Sequence, residues 1–232
     1  MRDGRNPRSI LTSFQSVVLK GFFADPRAPE LFYLSGGTAL AEFYLHHRYS
    51  DDLDFFAKRG TRLSSGAEIL EALATSLGFG IELQQSELEY MEVKLVRETT
   101  GERLKVDFSQ DVGVHLDEPR NFENAIIDSL LDIAVNKTLA IFPSRGDEPK
   151  DYVDLYFILT QTELAIDDLF SLCTRKEGNF HAFRWAGSVR QIDRLELRER
   201  VRMVEPFDER AMVDYFHRLS DGILDRYRPT DL

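Results

Sequence analysis

Between Ile10 and Phe23 apolar residues recur at helical spacing with polar residues between them, which predicts an amphipathic helix. Leu31–Leu34 is a short apolar run that stops at Ser35-Gly36-Gly37, a strand followed by a turn. Helical spacing resumes from Thr38 to His46, and Leu53–Ala57 reads as a second strand. A helix over Glu68–Leu77, closed by Gly78, precedes three strand-like runs, Gly80–Leu83, Met91–Arg97 and Arg103–Phe108. Thr100-Gly101 marks a hairpin between the last two. Beyond this point the pattern is almost wholly helical: Asn121–Phe142 broken by Pro143, then Pro149–Leu159 with Asp147 as its cap. Ile166–Cys173, Phe180–Ile192 and Pro206–Leu224 complete the helices. Strands among helices, followed by helices alone, predict an α+β fold with a small mixed β-sheet core and a helical C-terminal half. The loop Asp117-Glu118-Pro119-Arg120 sets the boundary, giving a core over 1–118 and a helical region over 119–232.

Composition narrows the class. At 232 residues and 43% apolar, the chain suits one domain or two small ones sharing a core. Its net charge of −11 excludes a protein that coats nucleic acid through bulk electrostatics. That charge is spread evenly, −6 over 1–118 (13 basic, 19 acidic) and −5 over 119–232 (16 basic, 21 acidic). Cys173 is the single cysteine, which excludes an intrachain disulfide and a cysteine-based zinc site. No apolar run approaches the ~18 residues that span a bilayer, and Ser9–Gly21 lacks the unbroken apolar centre of a signal peptide. A cytoplasmic protein with no membrane partner is expected.

The chemistry concentrates in Ser35–Leu40 and His47–Phe56. Strand side chains alternate, so Asp52, Asp54 and Phe56 share one face while Leu53 and Phe55 share the other. In Arg103–Phe108 the apolar trio Leu104, Val106 and Phe108 alternates with Lys105 and Asp107. If the two strands are neighbours, three carboxylates converge. Like charges at that spacing call for a cation, and oxygen-only ligands point to Mg²⁺ or Mn²⁺. The Gly36-Gly37 turn ahead of a helix offers backbone N–H groups to phosphates. Glycines followed by metal-binding acids describe phosphoryl transfer from a nucleotide. Taken singly, the same pieces also read as an ordinary turn, a solvated acidic loop and a surface strand acid. His46-His47 has no third ligand at zinc spacing.

The string Gly36-Gly37-Thr38-Ala39-Leu40, then His47-Arg48-Tyr49-Ser50-Asp51-Asp52-Leu53-Asp54-Phe55, resembles the signature of AbiEii/AbiGii-type nucleotidyltransferases. These are toxin components of type IV toxin–antitoxin and abortive-infection systems, within the DNA polymerase β-like superfamily. The wider superfamily has Gly-Ser where this chain has Gly36-Gly37, so a hydroxyl contact to phosphate would fall to Thr38 or Ser35. Lys137-Thr138-Leu139-Ala140, Arg145 and Lys150–Tyr156 are similar to the family's later motifs. The resemblance implies an NTP substrate, Asp52 and Asp54 holding two Mg²⁺ ions, and Asp107 on the ion that activates the acceptor hydroxyl. It further implies Gly36, Gly37 and Thr38 cradling phosphates, with Arg48, Lys137 and Arg145 toward the nucleotide and Asp154 needed for catalysis, while Ser50 either orders the turn through an ST-type bond or touches the nucleotide. The helical half would then complete the active-site cleft.

Local chemistry leaves some of these roles open. Lys137 lies on the row Leu130, Ala134, Lys137, Ile141, so its ammonium must snorkel to water or find an anion. Asp151 in a first helical turn is favoured by the helix dipole alone. Asp154 either acts on the acceptor hydroxyl or locks Lys137 or Arg145 in place. Residues 175–204 carry eight basic side chains (Arg175, Lys176, Arg184, Arg190, Arg194, Arg198, Arg200, Arg202) against four acids. This local excess suits a solvated helix face, an RNA or tRNA acceptor with Phe180, His181, Phe183 or Trp185 stacking an unpaired end, or an antitoxin protein. A small-molecule acceptor, such as an antibiotic hydroxyl, and a catalytically idle nucleotide-binding module are the competing functions.

Overall fold

The structure, a computed structural model, describes residues 9–111, 113–142, 148–195 and 201–227. The chain folds as two compact units, Met1–Ser129 and Leu130–Leu232.

In the first unit α1 spans Ser13–Ala24 and starts three residues later than the apolar pattern suggests. Thr12 and Gln15 form a reciprocal capping box that satisfies two N-terminal amides and fixes the start. A single turn, α2 (Ala28–Leu31), leads into β1 (Phe32–Ser35). The helix expected over Thr38–His46 is in fact α3 (Gly36–Leu40) running into a π turn (Ala41–Leu45). His46 ends it in the left-handed conformation, donating its amide to the Ala41 carbonyl. Next come β2 (Asp52–Ala57), α4 (Ser64–Leu77), β3 (Gly80–Ser86), β4 (Tyr90–Arg97) and β5 (Glu102–Gln110).

The seven-stranded sheet has the order β3-β4-β5-β2-β1-β7-β6. Two of its strands, β6 (Arg120–Phe122) and β7 (Ala125–Ile127), fall where the sequence pattern predicts the start of a long helix. Residues 119–129 therefore belong with the sheet-bearing unit. Glu123 and Asn124 both have positive φ, the backbone of a two-residue hairpin turn, and β7 then pairs parallel with β1.

Alternation gives the sheet two unlike faces. Leu53, Phe55, Val106, Phe108, Val93 and Leu95 are buried on one face. Phe22 of α1 stacks on Phe55 there at 4.1 Å between centroids, and Phe55 lies 5.5 Å from Phe108. Gly66 of α4 lets that helix close on the Phe108 ring. The core on this side holds the strands in register and leaves the opposite face for polar side chains.

The second unit is helical: α5 (Leu130–Ala140), α6 (Pro149–Gln161), α7 (Ile166–Lys176), α8 (Ala182–Val189) and α9 (Glu209–Asp225), with a 3₁₀ turn at Arg190–Arg194. Its core includes Val135, Leu139, Tyr152, Leu155, Phe170, Trp185 and Phe216. Glu148 occupies the N-cap position of α6, and Asp147 lies outside the described residues.

Candidate active site

The polar face of the sheet brings the three strand aspartates together. β2 and β5 run parallel as neighbours, with Asp54 opposite Asp107 and Asp52 opposite Lys105. Ser35 lies opposite Asp54 on the other side. β4 adds Glu92 directly across from Asp107. Asp52, Asp54, Asp107 and Glu92 therefore project from three adjacent strands on one face.

The surrounding backbone is built for close approach. Gly36 has φ +69°, and a Cβ there would lie 2.5 Å from Asp54 Oδ2. The glycine is thus required twice, by its left-handed conformation and by the carboxylate beside it. A Cβ on Gly37 would strike the guanidinium of Arg48, which is only 1% exposed. Arg48 also donates through Nη1 to the Tyr49 carbonyl at 3.0 Å. The loop before β2 is tied to α1 by Gln15 Nε2, which donates to the Ser50 carbonyl at 2.7 Å. One capping residue thereby secures both the helix start and the approach to Asp52.

Neither hydroxyl flanking the glycines is turned over to a ligand. Thr38 is fully buried and donates from Oγ1 to the Asp52 carbonyl at 2.5 Å. Ser35 donates from Oγ to Asp128 Oδ2 at 2.6 Å. Asp128 is itself buried and also accepts from the Ser129 amide. This acid was not singled out from the sequence, because residues 121–142 read there as one helix. The Glu123-Asn124 turn was the signal that a strand and its terminal acid follow.

Asp107 is 7% exposed and firmly held. Tyr90 donates its hydroxyl to Oδ1 at 2.9 Å, and the Lys105 ammonium lies 2.7 Å from Oδ2. Burial alone would lower the Lys105 pKa, but its hydrogen bond to Asp107 and the charges of Asp107, Asp52 and Glu92 outweigh this and raise it. Burial first, then Asp107 and Glu92, push the Tyr90 phenol upward, so it stays a donor. Glu92 and Lys105 fall within the expected strand runs and Tyr90 one residue before Met91–Arg97, and their meeting at Asp107 depends on register.

In the second unit, Lys137 on α5 reaches Asp151 Oδ1 at 2.6 Å and Asp154 Oδ2 at 2.8 Å, both on α6. Asp154 is fully buried. Of the roles open to Asp154, the geometry supports locking Lys137. Arg145 lies outside the described residues.

The basic segment is partly committed to structure. Lys176 pairs with Asp132 at 3.1 Å, Arg190 binds Ser220 and Asp221, and Arg184 lies over the Phe142 ring. Trp185, expected as a core or interface anchor and alternatively as a stacking surface, is buried and donates to the Thr138 carbonyl at 2.8 Å. Phe180 is buried against Phe142 and Phe170. Arg198 and Arg200 lie outside the described residues, while Arg175, Arg194, Arg202, His181 and Phe183 are exposed.

The family model described as nucleotidyl transferase AbiEii toxin, type IV TA system, matches residues 17–226. No curated protein matches the chain by sequence. Among solved structures, JHP933 from Helicobacter pylori is similar, with a TM-score of 0.55 and 17% identity over 91% of this chain and 89% of that one. A candidate nucleotidyltransferase from H. pylori is similar at a TM-score of 0.57 and 18% identity, covering 93% of this chain and 95% of that one. At these identities the likeness is one of fold. Among the described residues no helix is long and apolar enough to cross a membrane.

Proposed function

The chain belongs to the AbiEii nucleotidyl transferase toxin family of type IV toxin–antitoxin systems, and from that premise we propose that it moves an NMP from an NTP to an RNA hydroxyl, releasing pyrophosphate. The observation that carries this reading is the in-register meeting of Asp52, Asp54 and Asp107 beside the Gly36-Gly37 turn.

The residues fit a hard divalent cation. Their donors are carboxylate oxygens, and a Cβ at Gly36 would fill the space beside Asp54. Asp52, Asp54 and Asp107 would hold Mg²⁺ or Mn²⁺, which would supply Lewis-acid stabilisation of phosphate charge and a lowered pKa for the attacking hydroxyl. The backbone at Gly36, Gly37 and Thr38 would cradle phosphates through N–H groups, since the Thr38 and Ser35 hydroxyls are directed elsewhere. Arg48 and Ser50 pack against Gly37, and their proposed part is to hold that turn for the nucleotide. Lys137 is the proposed phosphate-binding cation of the second unit, with Asp151 and Asp154 as its positioning residues. Arg145 would add a second cation.

A tRNA-like acceptor, approached by the exposed bases of 175–204, and an antitoxin protein are the proposed macromolecular partners. Incubating the protein with Mg²⁺, each labelled NTP and total tRNA tests the reading. Labelled RNA that depends on Asp52 is the expected result. Label on a small-molecule hydroxyl in place of RNA would transfer the proposal to that acceptor class. Absence of transfer and of nucleotide binding would reject it.

A further inference from the structure

Lys105 stands inside the acidic cluster and belongs to none of the roles above. Its strand position opposite Asp52 and two residues before Asp107 directs it to the same face as all four acids. Its ammonium is 2.7 Å from Asp107 Oδ2 and 3.9 Å from Glu92, and the charge of Asp52 acts on it as well. Oδ1 of Asp107 meanwhile accepts from Tyr90. Both oxygens of the acid proposed to bind metal are therefore engaged by protein donors.

We propose that Lys105 is a resident counter-cation that competes with the divalent ion for Asp107, so that it sets how tightly the ion binds and stabilises the acidic face in the ion's absence. The inference rests on the reading of Asp52, Asp54 and Asp107 as metal ligands. Three features support it. The side chain is 35% exposed and can swing into water, which a fully buried lysine could not do without leaving an acid unpaired. Lysine is a flexible, strongly hydrated point charge, suited to exchange, where arginine's fork would clamp the carboxylate. Of the two Asp107 oxygens Tyr90 donates to Oδ1, at 2.9 Å against 3.3 Å to Glu92 Oε2, so the carboxylate keeps its orientation when Oδ2 is released. The Lys105 ammonium and a divalent ion cannot both lie against Oδ2 without mutual repulsion.

The test uses the full chain freed of metal by EDTA and then dialysed, comparing wild type, Lys105→Met, Lys105→Arg and Asp54→Asn. Calorimetric titration with Mn²⁺ alone reads the competition. Lys105→Met is expected to bind Mn²⁺ about fivefold more tightly or better, the factor one unit charge at contact distance carries in water. In EDTA the same variant is expected to melt below wild type, and Lys105→Arg to recover the loss while binding Mn²⁺ no more tightly than wild type. Equal or weaker Mn²⁺ binding by Lys105→Met overturns the proposal. If wild-type binding is also abolished by Asp54→Asn, the metal reading survives that result and only the competition falls. If neither wild type nor Lys105→Met takes up Mn²⁺, both the competition and the metal reading are rejected.

Discussion

Lys105 of the first unit and Lys137 of the second each sit at ion-pair distance from an aspartate, 2.7 Å to Asp107 and 2.8 Å to Asp154, yet they are set very differently. Lys105 stands on a strand with over a third of its side chain in water and faces an excess of carboxylates. Lys137 is 12% exposed and bridges two acids of one helix, one of them fully buried. Withdrawing Lys137 would leave the Asp154 charge without that partner in the interior, a large cost, whereas withdrawing Lys105 exposes a face that a metal ion can neutralise. The same pair of functional groups thus makes an exchangeable arrangement in one unit and a fixed one in the other. A site that takes up ions needs the first, and a preset cation for phosphate needs the second.

The largest expected effect breaks the first arrangement. Asp54→Asn should reduce nucleotidyl transfer about 10³-fold, the scale of several kcal/mol of lost transition-state stabilisation. It should leave the melting temperature level or higher, because one like charge leaves the cluster. A labelled-transfer assay run beside thermal melting reads both. Asp154→Ala attacks the second arrangement and should instead cost stability, about 3 kcal/mol in urea unfolding. Adding Lys137→Met should recover part of that loss, the non-additivity expected of a direct pair.

Two glycines sharpen the contrast further. Gly36→Ala forces a side chain into a left-handed backbone and against Asp54, at about 1–3 kcal/mol, and should lower transfer by up to about 10²-fold. Gly78→Ala has the same strained φ but nothing within 4 Å, so it should lose about 1 kcal/mol and keep transfer. The smallest effect lies in the core of the second unit. Burial, with the charge of Glu177, pushes the Cys173 thiol up to about 12. A raised folded pKa gives stability that is full below the unfolded value near 9 and is lost as pH rises toward 12. About 1 kcal/mol should be gone by pH 10, and Cys173→Ala should flatten that alkaline slope of melting temperature.

Much of the first unit is legible in its alternation. Asp52 and Asp54 opposite Leu53 and Phe55 identify a half-buried strand, and Leu104, Val106 and Phe108 do the same for Asp107. What alternation cannot give is which strands are neighbours, since pairing is set by the whole core. Hence Glu92 was readable as a face residue but not as a partner of Asp107, and Tyr90 lies one residue outside the expected strand. β6 and β7, at three residues each, are too short to carry a period and merged into the following helix. Asp128 was lost with them. The buried Trp185 and Phe180 show the converse difficulty, since an aromatic among basic residues suits a stacking surface as well as a core. Asp151 and Asp154, three apart on one helix, were the accessible clue to the Lys137 pair.

The central claim, that the acids of β2 and β5 serve transfer of an NMP, is tested most directly with one NTP labelled at either its α or its γ phosphorus. The account predicts that α label becomes covalently attached to the acceptor, that γ label leaves in pyrophosphate, and that Asp54→Asn slows both about 10³-fold. Attachment of γ label to the acceptor, or α label transferred equally by Asp54→Asn, would contradict it.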